Sequence, residues 1–151
     1  MSEKQVHRGY LASALTCHCP RCREGKLFRN PAAFGLKKNL DMNKHCPVCG
    51  QMTELEVGFY YGTSYVSYAM TVAISVATFV AWWVLIGIST EMHLFYWLGV
   101  NALILFLLQP WLMRLSRSLW ISWFVKFDPN WKENQPEDFS ERLNADQAGN
   151  W

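Results

Sequence analysis

With 151 residues, the chain has room for one ordinary soluble domain or two small units. Hydrophobic residues make up 51% and charged residues only 17%, below the roughly 25% usual for soluble domains, and the apolar excess is not spread evenly. A formal net charge of +2 is too small to argue for a nucleic-acid partner, and none is expected.

Residues 1–16 form a polar, weakly amphipathic lead. The apolar run in "GYLASAL" is too short for the core of a secretory signal, which takes about 7 to 15 residues, and Ala14, Leu15 and Thr16 make a poor lipidation site. Residues 17–56 hold every cysteine, together with Pro20, Gly25, Pro31, Gly35, Pro47 and Gly50. That composition suits tight turns and short strands.

Cys19-Pro-Arg-Cys22 and Cys46-Pro-Val-Cys49 are two Cys-x-x-Cys pairs, with 23 residues between the inner cysteines. Each pair reads as a knuckle, a tight turn that aims two sulfurs at one point. Gly50 directly after the second pair and Gly25 three residues after the first are expected to supply conformations that other residues avoid. Two knuckles together make a tetrahedral thiolate site, which selects zinc or iron. The doubled, proline-containing, ribbon-like spacing puts structural zinc on Cys19, Cys22, Cys46 and Cys49, with rubredoxin-like iron behind it. A cytoplasmic setting disfavours disulfides, and no alternating strand and helix pattern supports thioredoxin-like chemistry. Cys17 is expected as a free thiol beside the site, and His18 and His45 as surface or supporting groups. A closed four-thiolate site has no open position for water or substrate, so it stabilises a fold and does not catalyse hydrolysis. A unit of about 40 residues with few large aliphatics needs such a staple.

Residues 57–127 read as an apolar hairpin, over 57–113, followed by an interfacial extension. There is no charge from Val57 to Thr90, then Glu91, then none from Met92 to Met113. A membrane helix needs about 20 apolar residues to cross a roughly 30 Å hydrocarbon core. The pattern therefore predicts a transmembrane hairpin with spans near 65–88 and 93–113, led in by the interfacial tyrosines of "VGFYYGTSY". On the first span Ala69, Ala73, Ala77 and Ala81 recur every four residues and line one face. Ser67, Thr71 and Ser75 form a second small stripe. Small faces let membrane helices pack closely, so a further helix from another subunit is expected, set against hydroxyls that simply bond back to their own helix. Asn101 and Gln109 are the polar residues of the second span. No charge lies within either span, which argues against an autonomous transporter, and His93 beside the turn is poorly placed for haem. Beyond Pro110, "RLSRSLWISWFVKF" shows no clean helical face and reads as an interfacial extension anchored by tryptophans and basic residues. Residues 128–151 read as a flexible acidic tail, with at most one short helix near "PEDFSERL". Nine Lys or Arg precede the first span, five follow the second, and the turn has none, so both termini are expected in the cytoplasm.

In order, "CPRCREGKLF", "CPVCGQ", "GFYYGTSYVSYA", two spans and "FVKFDP" resemble the bacterial domain of unknown function 983, over residues 17–130. The resemblance implies a zinc ribbon on the same four cysteines and no catalytic residue. Some family members are encoded near cytochrome oxidase and its assembly factors, which implies a respiratory association. The expected fold is a small four-cysteine zinc ribbon with short β-strands, followed by an α-helical two-span transmembrane hairpin. The expected function is that of a non-enzymatic accessory or assembly protein of the bacterial inner membrane, whose partners are the lipid bilayer and other membrane-protein subunits. The alternative is a membrane-anchored, rubredoxin-like redox or metal-handling module.

Overall fold

A computed structural model describes residues 8–30, 39–87 and 91–142. Helix α1 spans Tyr10–Leu15, α2 Thr63–Leu85 and α3 Glu91–Phe124. Most of the turn between α2 and α3, and residues 143–151 of the acidic tail, lie outside these residues.

Helix α2 begins after a short 3-10 turn, Phe59–Gly62. It stops at Leu85 because Gly87 adopts a left-handed conformation (φ 81°) and its N–H turns back to the Trp82 and Trp83 carbonyls. Helix α3 is 34 residues long, about 51 Å at 1.5 Å per residue. It runs through Pro110 and takes in all but the last three residues of the stretch expected to be an interfacial extension. Both helices are long and apolar enough to cross a membrane.

The two helices pair antiparallel around polar groups. Buried Asn101 donates to the Ser75 hydroxyl (3.2 Å) and accepts from Thr78 (3.1 Å). Nearer the turn, Phe79 meets Trp97 edge to face at 5.0 Å between centroids. The serine and threonine side of α2 thus faces α3, while Ala69, Ala73, Ala77 and Ala81 are all exposed. At the other end the α2 backbone approaches closely, and a Cβ on Gly62 would overlap the Trp120 ring. The Trp120 indole donates to the Phe59 carbonyl (2.8 Å), which ties the 3-10 turn to α3.

The cysteine unit has no separate core. Its buried cluster joins Cys19, Cys22, Leu27, Phe28, Cys46 and Leu55 to Phe59, and to Ile121 and Val125 at the end of α3. So few aliphatics cannot exclude water alone, and the helix completes the set. The docking face runs through Arg114, Ser118 and Ile121 of α3 to Val125 just past its end, at helical spacing. Ser118 donates to the Ala14 carbonyl (2.8 Å) and so holds α1. Arg114 and Arg117 donate to the carbonyls of Asn39 (2.9 Å) and Leu40 (3.1 Å) and lie over the Phe28 and Tyr60 rings. Among the described residues there is no β-strand. Pairing is confined to three isolated antiparallel bridges: His18 with Lys26, Phe28 with Met42, and His45 with Met52. Residues 128–142 lie against the cysteine unit rather than extending away from it.

Candidate metal centre

The two knuckles are built alike. In the first, the Arg23 N–H closes on the Cys19 carbonyl (2.8 Å), and the Cys19 N–H bonds the Gly25 carbonyl (2.7 Å). In the second, the Gly50 N–H closes on the Cys46 carbonyl (3.0 Å), and the Cys46 N–H bonds the Gln51 carbonyl (2.8 Å). Each turn needs a left-handed residue just after its second cysteine. Gly50 fills that place at φ 72°, and Arg23 fills it at φ 60°. A non-glycine residue there costs about 1–2 kcal/mol. Arg23 offsets this with a hydrogen bond to the Arg8 carbonyl (2.9 Å) and stacking over the Phe127 ring (3.9 Å).

Gly25 is required for another reason. Its φ is ordinary, but a Cβ there would overlap the Cys46 sulfur and crowd Val48. Its N–H also points at the Cys22 sulfur (3.4 Å). The expectation that Gly25 supplies an unusual turn is thus replaced by a packing requirement at a ligand atom.

The knuckles bring the sulfurs of Cys19, Cys22, Cys46 and Cys49 within 4.8 Å of one another. Cys19 and Cys49 are 3.8 Å apart, and Cys22 and Cys46 are 3.7 Å apart. A tetrahedron with metal–sulfur bonds of about 2.3 Å has edges of about 3.8 Å, so the residues fit a four-coordinate ion. The four-cysteine cluster can therefore bind a metal. So close together, the sulfurs share protons. Hydrogen bonds from Cys19, Cys46 and Cys49 push the Cys22 thiol far below its ordinary range. Bonding with Cys19 first, and then with Cys49, brings Cys46 down to about 7, whereas Cys19 is pushed up, chiefly by its bond to Cys22. Cys49 is pushed up as well, so two of the four thiols hold their protons until a cation displaces them.

The other sequence candidates lie apart from this group. All five cysteines are free, and Cys17 sits half-buried outside the sulfur cluster, its thiol pushed up by burial against the opposing charge of Arg114. The His18 ring pairs with the Thr16 hydroxyl (2.8 Å), and His45 is exposed. The α2 alanines form no part of the site. Sequence reasoning missed Arg21. It lies inside the first knuckle, is 5% exposed, and donates to the Cys49 carbonyl (3.5 Å), the Asn134 carbonyl (2.8 Å) and the Asp128 carboxylate (3.3 Å). Its position within Cys-Pro-Arg-Cys was visible, but two of its three partners are more than a hundred residues away.

A family model described as a protein of unknown function (DUF983) matches residues 36–124, more than half of the chain. The match takes in the second knuckle and both long helices, and the first knuckle joins the site through the geometry above. Neither the curated proteins nor the solved structures give a match.

Proposed function

The chain belongs to the family of proteins of unknown function DUF983, and from that premise we propose that it is a non-enzymatic integral membrane accessory or assembly protein with a structural zinc ribbon. In this reading it crosses the bacterial inner membrane twice, with both termini in the cytoplasm, and serves a larger membrane complex, respiratory in kind. Structural zinc is supported by four thiol donors at tetrahedral spacing, which would leave a bound ion no position for water or substrate. The observation that carries the accessory role is the bare face of α2. Ala69, Ala73, Ala77 and Ala81 point away from α3, whose pairing already uses the hydroxyl side. A small-residue face lets a further backbone approach closely.

The test is gentle detergent purification of the tagged chain, with elemental analysis and mass spectrometry of what accompanies it. The expected result is about one zinc per chain, from the single four-donor site, together with other membrane-protein subunits. Ala73→Phe or Ala77→Phe should release those subunits and keep the zinc. A chain that purifies alone, with both variants behaving as the parent, overturns the accessory role. The same sulfur geometry suits iron and gives the second reading, a rubredoxin-like redox module, for which a red, iron-containing preparation is the signature.

A further inference from the structure

The segment after α3 runs along the metal centre. The Asp128 N–H bonds the Arg21 carbonyl (3.2 Å), while the Arg21 side chain returns to the Asp128 carboxylate and the Asn134 carbonyl. Hydrogen bonds from the Asn134 amide and the Asn130 N–H, with Arg21 beside them, hold the Asp128 carboxyl below its ordinary value. Pro136 lies over Gly50, 3.8 Å from where a Cβ would stand. The Phe139 N–H points at the Met52 sulfur (3.4 Å), and Asp138 lies within electrostatic reach of His45. Trp131 and Phe139 pack on the cluster that holds the cysteines. These contacts follow the second knuckle from residue 45 to 52 and reach the first at Arg21. Cys49, the half-buried member of the four, is linked to this segment through Arg21, which donates to its carbonyl as well as to Asp128 and Asn134.

The charges make the arrangement specific. Four thiolates around a divalent cation leave a net negative centre, and the segment over it is acidic on balance, with Asp128, Glu133, Glu137, Asp138 and Glu141 against Lys132 and Arg142. An acidic segment would be repelled from such a centre. Arg21, buried, supplies the cation that pairs with the Asp128 carboxylate and donates to the Cys49 carbonyl.

We propose that residues 128–142 are a strap that closes the outer side of the four-cysteine site and sets the rate of metal exchange. The proposal rests on the metal-binding reading above. The strap must lift before a competing ligand reaches Cys49, so its contacts govern metal uptake and release together.

The experiment uses the full-length chain in detergent, loaded with zinc and mixed with excess chromogenic chelator. Asp128→Asn removes the charge facing Arg21, and Phe139→Ala removes a packing anchor at the far end of the strap. Each should speed release and uptake about tenfold, the effect of losing one hydrogen bond to a charged group or comparable packing from the closed state. Zinc stoichiometry and equilibrium affinity should stay as in the parent. Release that is unchanged in both variants overturns the strap, and so does release that speeds up only in proportion to lost affinity. A parent chain that holds no metal refutes the metal-binding reading itself, and the strap with it.

Discussion

One added carbon separates the two knuckle glycines. At Gly25 it would strike the Cys46 sulfur, whereas at Gly50 it would meet only Pro136 at ordinary contact distance and strain a left-handed backbone. Gly25→Ala should therefore abolish metal binding, because the sulfur it displaces is a ligand. Gly50→Ala should cost about 1–2 kcal/mol and keep the metal. Zinc content and thermal unfolding of the two variants check this, and equal loss of metal in both would sink the distinction. The four ligands were legible because a knuckle is local: proline, spacing and a following turn residue all lie within a few positions. The role of Gly25 was not, because it depends on a sulfur 21 positions away (46 minus 25). Arg21 was hidden for the same reason.

Helix α3 carries two environments on one rod. Its first part pairs with α2, and its last turns bury Ile121 and Val125 among the cysteines. Ile121→Ala empties a fully buried position and should cost about 2–5 kcal/mol. The loss should fall on the cysteine unit, seen as faster proteolysis before Phe59 and weaker zinc retention, with the α2–α3 pairing kept. Proteolysis confined to residues beyond 128 would contradict this. The sequence predicts the two apolar helices because an uncharged run of that length has few alternatives. It hides the docking face because two of its four members are Arg114 and Ser118. Burial of those residues is offset by carbonyls of Asn39 and Ala14, which no periodicity of hydrophobic residues reports. The expected short strands shrink to single bridges, since turns and sulfur contacts occupy most of the unit's backbone.

At the scale of the molecule, the cysteine unit and residues 128–142 meet at one end of the helical hairpin. Proteins that span twice with both ends on one side leave the intervening turn on the other. Reporter fusions after Lys44 and after Asn130 should show the cytoplasmic signal, and one at Ser89 the external signal. A cytoplasmic signal at Ser89 would overturn the topology. The shared core also fixes an order of events during synthesis. A chain made from its amino end produces the first knuckle by residue 22 and the second by residue 49, but Ile121 and Val125 leave the ribosome only at the end of the second long helix. Until then the cysteine unit lacks two of its nine buried core members. Closure of the cysteine unit should therefore be a late event, and a chain arrested after its first long helix should present its thiols to the surroundings. The cysteine unit, made first, becomes the last part of the molecule to be finished, and its closure reports that the second helix is in place.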